Sequence, residues 1–543
     1  MESADIILKS NAIFTGITDS VFAGGIAIKD NRIIAVGANE DIDSRIGSTT
    51  RIYDFHDRMV MPGIIDAHMH FFVGAFSSSS YMLMDLFDSR SEKEAADMVR
   101  RFADGHPDFK RITGMGWFPI YWGKDSKLPT RASLDAAVPD RPVYLLSGDA
   151  HTFWLNTKAL EECGITKDTK VSFGDLGKDD RGELTGLLFE IEASATANQM
   201  AFRLSEKEQK ELQRDFVRRL TMAGITSTTN MSASPVVEQD FREYEIAREL
   251  EEAGELTVRL HLYPSLGLST DLSVAKELRE KYRSGMLRVS GLKHFIDGVT
   301  STYSAYLLAP YSDKPDTRGY TDYPPEVYRK TVVNANGEGF GVRLHAIGDG
   351  AVRLALDAFA ESNGLHDNSR IKNSIEHIES LHNDDIPRFA ETGTIASVQP
   401  IHLILDENEK LSRIGEKRSR NEWPFRSLLD TGATLAFGTD FPVAPINPFP
   451  NIHAAVTRRT KDGEMIGINP GERISLAEAL KAYTFGGACA VNREQELGTL
   501  EPGKLADIIV LDRNLFSAAE EDIPETSVVM TITDGRIVYE KKR

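Results

Sequence analysis

The sequence predicts an α/β fold, a distorted TIM (β/α)8 barrel with a small β-sandwich domain formed from both termini and a large insertion after the first barrel strand. Three observations predict it. Both chain ends are rich in short strands, the middle alternates strands with helices, and one gap between strands exceeds the length of a crossover helix. The predicted domains are residues 1–60 and 491–543 for the β-sandwich and 61–490 for the barrel, with the insertion at 75–215.

Both ends of the chain have a sequence pattern of short strands separated by turns. Short β-branched or alternating runs are separated by Gly, Asp and Asn, which favour turns. Two strand-rich flanks around a long middle favour one small domain built from both ends. The predicted strands of this domain are Ala4–Phe14, Gly24–Ile28, Arg32–Val36, Ala506–Leu511 and the hairpin Val528–Val538.

Eight apolar, β-branched runs in the middle of the chain predict the barrel strands, because helix-period segments lie between most of them. The first two runs are about 155 residues apart, which predicts that the intervening segment folds over the barrel mouth. The predicted strands are Gly63–His68, Gly224–Thr229, Val258–Tyr263, Val289–Ile296, Gly341–His345, Ser374–His377, Thr394–Gln399 and Thr434–Thr439.

Composition excludes several classes of protein. The net charge of −19 argues against a nucleic-acid or anionic-membrane partner, since both attract clustered positive charge. Cys163 and Cys489 are too few for a disulfide framework or a Cys-rich metal site. Neither a secretion signal nor an apolar run of membrane-spanning length is visible, so a cytoplasmic protein is expected. A homodimer is the usual expectation for a protein of this kind.

Two histidines follow the first predicted barrel strand, in the run PGIIDAHMH (62–70). Side chains alternate along a strand, so His68 and His70 point to the same side at its C-terminal end, which is the active-site end of a barrel strand. Two neutral imidazoles so placed can chelate one divalent metal ion. Taken alone, surface or capping histidines would explain the pair as well.

Further titratable residues lie at or near the ends of other predicted strands, which favours a metal site over separate structural roles. A solitary histidine at a strand end is more often a hydrogen-bonded structural residue, whereas several on different strands of one barrel converge. These residues are Lys293, His345, His377 and Asp440, with His261 earlier in its own strand.

Six segments resemble, in order, the motifs of the amidohydrolase superfamily. The resemblance covers nearly the whole chain and is greatest to the branch of N-substituted formamide deformylase and the YtcJ-type metal-dependent hydrolases. Segments 148–156 and 182–190 resemble insertion motifs of that branch, and segment 498–512 resembles the return of the chain to the β domain. The six motifs are PGIIDAHMH (62–70), GLKHFIDG (291–298), RLHAIGDGAV (343–352), IEHIES (375–380), SVQP (397–400) and AFGTDFPV (436–443).

The resemblance implies a binuclear centre of two divalent metal ions, usually Zn²⁺. It also implies that Lys293 is carboxylated on Nζ, so that its carbamate bridges both ions. An unmodified ammonium has no lone pair and would repel two cations, whereas a carbamate offers oxygen ligands. The implied metal ligands are His68, His70 and Asp440 for one ion, His345 and His377 for the other, and Lys293 between them.

The implied reaction is hydrolysis of a non-peptide, N-acyl or N-formyl amide C–N bond in a small-molecule, amide-like substrate. A metal-activated hydroxide would attack, with Asp440 as the general base that returns the proton to the leaving nitrogen. His151 and Gln399 are candidate hydrogen-bond donors to the oxyanion. Trp154 is a candidate pocket wall, although it could equally belong to the core of the insertion.

Other functions stay open at this point. A cyclic amide or lactone hydrolase, or a deaminase, would use the same centre, and a non-catalytic regulatory barrel would keep the same fold. The complete set of six ligand positions argues against the regulatory role, and the lysine position favours hydrolases over deaminases. Neither a Gly-x-Ser-x-Gly elbow nor a Gly-x-Gly-x-x-Gly loop after a strand is present, so serine hydrolases and dinucleotide-binding proteins are not indicated.

Overall fold

The computed structural model describes residues 2–78, 84–123, 126–171, 173–201, 205–232, 241–267, 271–460 and 463–542. The chain divides into two compact units, each with its own sheet structure and core. The first unit comprises Met1–Phe71, Val217–Ser232 and Ala247–Arg543, and the second comprises Phe72–Phe216 and Ala233–Ile246.

The strands of the described residues are short, as expected where turns and helices interrupt the chain at close intervals. In chain order they are β1 (Ile6–Ile13), β2 (Phe22–Lys29), β3 (Arg32–Gly37), β4 (Arg51–Asp54), β5 (Met59–Pro62), β6 (Ile64–Asp66), β7 (Met84–Asp85), β8 (Ile112–Trp117), β9 (Val143–Ser147), β10 (Thr152–Leu155), β11 (Asp175–Lys178), β12 (Leu184–Phe189), β13 (Ile225–Met231), β14 (Arg259–Tyr263), β15 (Leu287–Val289), β16 (Leu292–Phe295), β17 (Val342–Ala346), β18 (Ser374–His377), β19 (Ile395–Val398), β20 (Leu435–Phe437), β21 (Ile508–Leu511), β22 (Val528–Thr533) and β23 (Arg536–Glu540).

The helices alternate with the strands over the middle of the chain. Across the described ranges, each helix is too short or too polar to cross a lipid bilayer. In chain order the helices are α1 (Asn39–Asp43), α2 (Phe71–Ser77), α3 (Glu92–Gly105), α4 (Arg131–Ala137), α5 (Thr157–Cys163), α6 (Glu190–Ala201), α7 (Glu206–Met222), α8 (Phe241–Glu252), α9 (Ser273–Lys281), α10 (Pro325–Gly337), α11 (Asp349–Leu365), α12 (Arg388–Thr392), α13 (His402–Ile414), α14 (Phe425–Asp430), α15 (Phe449–Thr457), α16 (Leu476–Lys481) and α17 (Gly487–Ala490).

The two ends of the chain meet in one eight-stranded sheet of the first unit. Its strand order is β23-β22-β21-β5-β1-β2-β3, and β4 pairs with β1 outside this path. β5, from the N-terminal part of the chain, pairs antiparallel with β21, from the C-terminal part. Apolar side chains from both parts bury a common core, so neither end forms this sheet alone.

Two parallel sheets make up the rest of the strand structure of the first unit, and helices separate most of their strands along the chain, giving a mixed α/β architecture. The four-stranded sheet has the order β15-β14-β13-β6, and the five-stranded sheet has the order β16-β17-β18-β19-β20. Every pairing within both sheets is parallel, so the C-terminal ends of the strands lie along one edge of each sheet.

The predicted strand Val289–Ile296 is divided between the two sheets. β15 pairs with β14 in the four-stranded sheet, whereas β16 pairs with β17 in the five-stranded sheet. Gly291 lies at the crossing, and a Cβ there would stand 2.5 Å from the carbonyl oxygen of Gly341 and 2.8 Å from the Tyr263 ring. The close passage of these backbones therefore requires glycine.

Backbone hydrogen bonds join the edges of the two sheets at both sides. The amide of Ala67, just after β6, donates to the carbonyl of Phe437 in β20 over 3.0 Å. On the other side the amide of Lys293 in β16 donates to the carbonyl of Pro264, just after β14, over 2.9 Å. The first of these bonds brings the segments that follow β6 and β20 together, and those segments carry His68 and Asp440.

The second unit is built on a separate six-stranded sheet with the order β11-β12-β10-β9-β8-β7. β7, β8 and β9 run parallel, and the other neighbouring pairs are antiparallel. Two clusters of buried apolar side chains form its core, and helices α3 to α6 contribute to them. This unit contains His151 and Trp154 of the predicted site.

Candidate metal centre

Asp440 follows β20, where the backbone turns sharply and a carboxylate anchors the turn. Its φ of +56° is in the left-handed region, which is costly for a residue with a side chain. Asp66 at the end of β6 accepts hydrogen bonds from the amide and hydroxyl of Thr439, at 3.1 and 2.6 Å. The amide of Asp440 itself donates to the carbonyl of His68 over 2.8 Å. This network fixes Asp440 beside His68.

Gly438 allows the two strand ends to approach so closely. A Cβ at Gly438 would lie 2.4 Å from the backbone nitrogen of His68, a distance that a real side chain cannot adopt. The glycine of the AFGTDFPV motif is therefore a steric requirement of the site.

His68 is fully buried, and its two ring nitrogens have different surroundings. Nδ1 lies 2.6 Å from Oε2 of Glu376, whereas Nε2 has no hydrogen-bond partner among the described residues. Burial lowers the pKa of His68 to about 4, so its imidazole is neutral at pH 7. Burial also opposes ionisation of Glu376, but Arg343 and His68 outweigh it and hold the pKa of Glu376 below its usual range. The ionised carboxylate accepts the Nδ1 proton, which leaves the Nε2 lone pair of His68 available.

His70 is oriented in the same way by a backbone carbonyl. Its Nδ1 lies 2.8 Å from the carbonyl oxygen of Met231 at the end of β13, so Nδ1 carries the proton and Nε2 carries the lone pair. That Nε2 lies 3.3 Å from Oδ1 of Asp440, and Nε2 of His68 lies 3.4 Å from the same oxygen. The ligand atoms of these three residues all lie within 4.8 Å of one another.

His377 at the end of β18 faces the other oxygen of Asp440. Its φ is +77°, so a second site residue has left-handed backbone. Nδ1 of His377 lies 2.8 Å from Oε1 of Gln399 and 3.9 Å from Oδ2 of Asp440. Nε2 of Gln399 is buried and has no hydrogen-bond partner among the residues described. Gln399 thus fixes the orientation of the His377 ring and keeps an amide donor available.

His402 is a site residue that the sequence analysis missed. It begins α13, and its Nε2 lies 3.6 Å from Oδ2 of Asp440. His377, His402 and Asp440 form a second group whose ligand atoms lie within 4.8 Å of one another. In the sequence, only its position three residues after Gln399 in the run SVQPIH points to the site. His402 begins a helix, whereas the predicted site residues were chosen at strand ends.

Lys293 lies on β16 with its ammonium buried. Nζ has no hydrogen-bond partner in the described part of the chain, and it lies 4.9 Å from the centre of the Phe295 ring. Burial lowers the pKa of Lys293 to about 8. A buried, unpaired ammonium is unfavourable, and chemical modification or an additional ligand would relieve it.

His345 on β17 lies beside His377 but belongs to neither group around Asp440. The centres of the two rings are 4.5 Å apart. Nε2 of His345 lies 3.3 Å from the carbonyl oxygen of Gly298, which favours a proton on that nitrogen. The structure therefore brings His345 to the site beside His377.

His151 and Trp154 lie in the second unit. Nδ1 of His151 lies 2.8 Å from Oε2 of Glu190. Trp154 is fully buried, its Nε1 donates to the carbonyl of Thr130 over 2.9 Å, and its ring packs 5.6 Å from that of Trp117. These are the contacts of a core residue, and the substrate contacts assigned to His151 and Trp154 stay predictions.

The residues around Asp440 fit a divalent metal ion. Two ligand atoms that each lie about 2.1 Å from a tetrahedral ion are about 3.4 Å apart. The distances of 3.3 and 3.4 Å from His70 and His68 to Oδ1 of Asp440 match that spacing, and they exceed a good N–H···O hydrogen bond. Oδ1 of Asp440 has no hydrogen-bond partner among the described residues. Neutral imidazole nitrogens and a carboxylate are suitable donors for zinc.

Curated relatives cover almost the whole chain. It is 30% identical to the protein LONG AFTER FAR-RED 3 of Arabidopsis thaliana, over 99% of this chain and 92% of that protein. It is 27% identical to a Bacillus subtilis protein named as the amidohydrolase YtcJ, over 97% of this chain and 98% of that protein. It is 25% identical to N-substituted formamide deformylase of Arthrobacter pascens, over 96% of this chain and 95% of that protein.

A solved structure has a similar fold over a comparable extent. An uncharacterized metal-dependent hydrolase from Pyrococcus horikoshii superposes with a TM-score of 0.76 at 26% sequence identity, covering 95% of this chain and 99% of that one. Fold, strand-end histidines and relatives together define a hydrolase that acts on carbon–nitrogen bonds.

The model of the amidohydrolase family matches residues 51–539. The chain belongs to the amidohydrolase family, as its motifs predicted, and a divalent metal ion is the cofactor that this family and the donor set support.

Proposed function

We propose that this chain hydrolyses a non-peptide amide bond of an N-formyl or N-acyl amine, with two divalent metal ions as cofactors and zinc as the expected metal. The observation that carries the proposal is the position of the Asp440 carboxylate. One of its oxygens faces His68 and His70, and the other faces His377 and His402. The name of the relative N-substituted formamide deformylase supports an N-formyl substrate.

The ligands of the first ion would be His68, His70 and Asp440, and His345 and His377 would contribute to the second. Lys293, carboxylated on Nζ, would bridge the two, because a carbamate turns an unpaired buried ammonium into an oxygen ligand. Bound there, a divalent ion would supply Lewis acidity and lower the pKa of coordinated water toward about 7.

Asp440 would move the proton of the reaction. Burial opposes its ionisation, but His68 and His70 outweigh burial and hold the pKa of Asp440 below its usual range, so the group is an ionised carboxylate at neutral pH. Asp440 would take the proton of the attacking water and deliver it to the leaving nitrogen. Its left-handed backbone and the hydrogen bonds that Thr439 donates to Asp66 would keep the carboxylate in place.

Gln399 would stabilise the charge that develops on the substrate carbonyl oxygen. Its Oε1 accepts from His377, which fixes the amide, and its Nε2 is a buried donor that no described residue uses. A preorganised donor in a buried site needs no reorganisation when the oxyanion forms. His151 remains the second proposed donor.

The proposed architecture is a distorted barrel of the two parallel sheets, with the sheet of the chain ends as the β-sandwich-like domain. Hydrogen bonds at both pairs of sheet edges, from Ala67 to Phe437 and from Lys293 to Pro264, support it. In such a barrel the C-terminal strand ends form the catalytic face. His68, His377 and Asp440 lie at or just after those ends, and Lys293 lies within β16.

The test is metal analysis combined with a hydrolysis screen. Protein prepared without chelators is expected to contain close to two divalent ions per chain, and the zinc-loaded protein to hydrolyse N-formyl or N-acetyl amides in a screen that also includes cyclic amides. The Asp440→Asn variant should keep most of its metal but lose turnover about 10²- to 10⁴-fold. Metal-free wild-type protein with full activity, or near wild-type turnover by Asp440→Asn, would refute the proposal.

A further inference from the structure

His402 lies at a separation from Asp440 that a direct hydrogen bond does not explain. Its Nε2 is 3.6 Å from Oδ2 of Asp440, which is beyond the usual range for an N–H···O bond. That distance is close to the spacing of about 3.4 Å between two ligands of one tetrahedral ion. The ring of His402 is nearly parallel to that of His377, at 10° and 6.0 Å, so both imidazoles approach Oδ2 of Asp440 from one group of residues.

A carboxylate stands behind His402 on the side away from Asp440. Nδ1 of His402 faces Oε1 of Glu379 at 3.8 Å. The other oxygen of Glu379 lies 2.6 Å from Nζ of Lys410, which is itself buried on α13. Lys410 therefore holds Glu379 as an ionised carboxylate directed at the imidazole of His402.

Lys410 is in turn fixed by further contacts in the same buried cluster. Its Nζ lies 2.7 Å from the hydroxyl of Thr300 and 3.4 Å from Oε2 of Glu422. The hydroxyl of Ser380 donates to the other oxygen of Glu422 over 2.6 Å. These contacts hold Glu379 in a defined orientation. Burying so many charged and polar groups costs free energy, which favours a functional role for the residue that they orient.

A similar but closer arrangement is present at His68, on the other side of Asp440. There Glu376 faces Nδ1 of the histidine at 2.6 Å, and Nε2 faces Oδ1 of Asp440. Glu376 and Glu379 come from one segment, IEHIES, and flank His377. A carboxylate on the far nitrogen of a histidine is typical of metal-ligating imidazoles, because it fixes the tautomer and increases the basicity of the ligand.

We propose that His402 is a ligand of the second metal ion, together with His377 and Asp440, and that Glu379 is the carboxylate that positions it. The inference rests on the proposed metal-dependent function and deepens it, since it adds a histidine outside the six predicted ligands. Its consequence is that Asp440 offers one oxygen to each metal position.

The test measures metal stoichiometry in three forms of the full chain after loading with Zn²⁺ and removal of excess metal. Wild type is expected to hold close to two ions per chain, and His402→Ala close to one. His382→Ala is the matched control, because His382 lies after β18 on the segment that carries Glu379, and its side chain is 43% exposed and lies 3.5 Å from Asp384. The control should hold two ions.

A second variant tests the inference without removing the ligand. In Glu379→Gln the second ion should bind about 10- to 100-fold more weakly, measured by competition with a chromophoric chelator, while the first ion keeps its affinity. Circular dichroism of the metal-free proteins checks that each variant is folded. If His402→Ala does not fold, Glu379→Gln decides the question.

The outcomes separate this inference from the proposed function. Two ions at wild-type affinity in both His402→Ala and Glu379→Gln would overturn the role of His402 and leave the proposed function standing. A single ion in wild type that persists in His402→Ala would overturn it as well. A wild-type chain that takes up no divalent ion would instead overturn the proposed function itself.

Discussion

Two buried histidines in the same parallel sheet have opposite surroundings. His261 on β14 is satisfied at both nitrogens, with the hydroxyl of Ser290 2.7 Å from Nδ1 and that of Ser227 3.1 Å from Nε2. His68 after β6 has Glu376 at Nδ1 and no hydrogen-bond partner at Nε2 among the described residues. Both side chains are inaccessible to solvent. Burial therefore does not distinguish these two histidines, whereas the state of the second nitrogen does.

Charged groups show the same contrast between the beginning and the end of the strands. Arg259 at the start of β14 is buried, and its guanidinium contacts Asp507 at 2.7 and 2.9 Å and Asp534 at 2.9 Å. Asp440 after β20 is equally buried, but its Oδ1 has no hydrogen-bond partner in the described part of the chain. Arg259 at the start of its strand is thus paired within the protein, whereas Asp440 beyond the end of its strand keeps one oxygen available for a ligand.

The largest effect is expected from His68→Ala. Loss of a ligand should weaken binding of the first ion by more than the roughly 100-fold that loss of a supporting contact costs, and turnover should fall with it. Metal analysis after dialysis and the rate of amide hydrolysis at fixed zinc measure both effects. A His68→Ala protein that retains two tightly bound ions would show that Nε2 of His68 is not a metal ligand.

A smaller effect on the same ion is expected from Glu376→Gln. The glutamine can still accept the Nδ1 proton of His68, but it no longer carries the charge that makes the imidazole a better donor. We expect the first ion to bind about 10- to 100-fold more weakly, measured by chelator competition. Glu391→Gln, an exposed site on α12, is the control and should change nothing. Equal affinities in the two variants would contradict the contrast between supported and structural histidines.

Much of the site could be predicted because it lies at strand ends. His68, His70, Lys293, His345, His377 and Asp440 are each adjacent to a β-branched run, and the parallel arrangement brings such ends together. His402 could not be found in that way, because it begins a helix and its approach to Asp440 depends on how α13 packs. The pairing of Glu376 with His68 joins residues 308 positions apart, so local sequence carries no sign of it.

The fold was predictable to the level of a mixed α/β chain whose two ends form a common sheet, because hydrophobic runs and turns mark most strands. The division of Val289–Ile296 was not predictable. Only Gly291 in the run VSGLKHFI marks a possible break, and the separation of β15 from β16 depends on the passage of Gly291 close to Gly341, 50 residues further along the chain. In the sequence, a close approach of two distant backbone segments is marked only by a glycine. Glycine also occurs at many positions for other reasons, so it does not identify such an approach.

The smallest effect on the metal is expected from His261→Leu, and it is the sharpest test of the contrast. Leucine fills a similar volume but removes both ring nitrogens, so the hydroxyls of Ser227 and Ser290 lose a buried partner. A cost of about 1–3 kcal/mol in the free energy of unfolding is expected, measured by denaturant titration. Because neither nitrogen is available to an ion, the number of bound ions and their affinity should equal those of wild type.

The double variant His261→Leu with Ser227→Ala separates the lost hydrogen bond from the lost ring. If the cost comes from an unsatisfied hydroxyl, removing that hydroxyl should restore part of the stability, since apolar replacement of both partners can be nearly neutral. If instead the double variant is less stable by the sum of two independent losses, the histidine stabilises the sheet through packing. Loss of a metal ion from folded His261→Leu would be the most damaging result, because two satisfied ring nitrogens would then fail to identify a structural histidine.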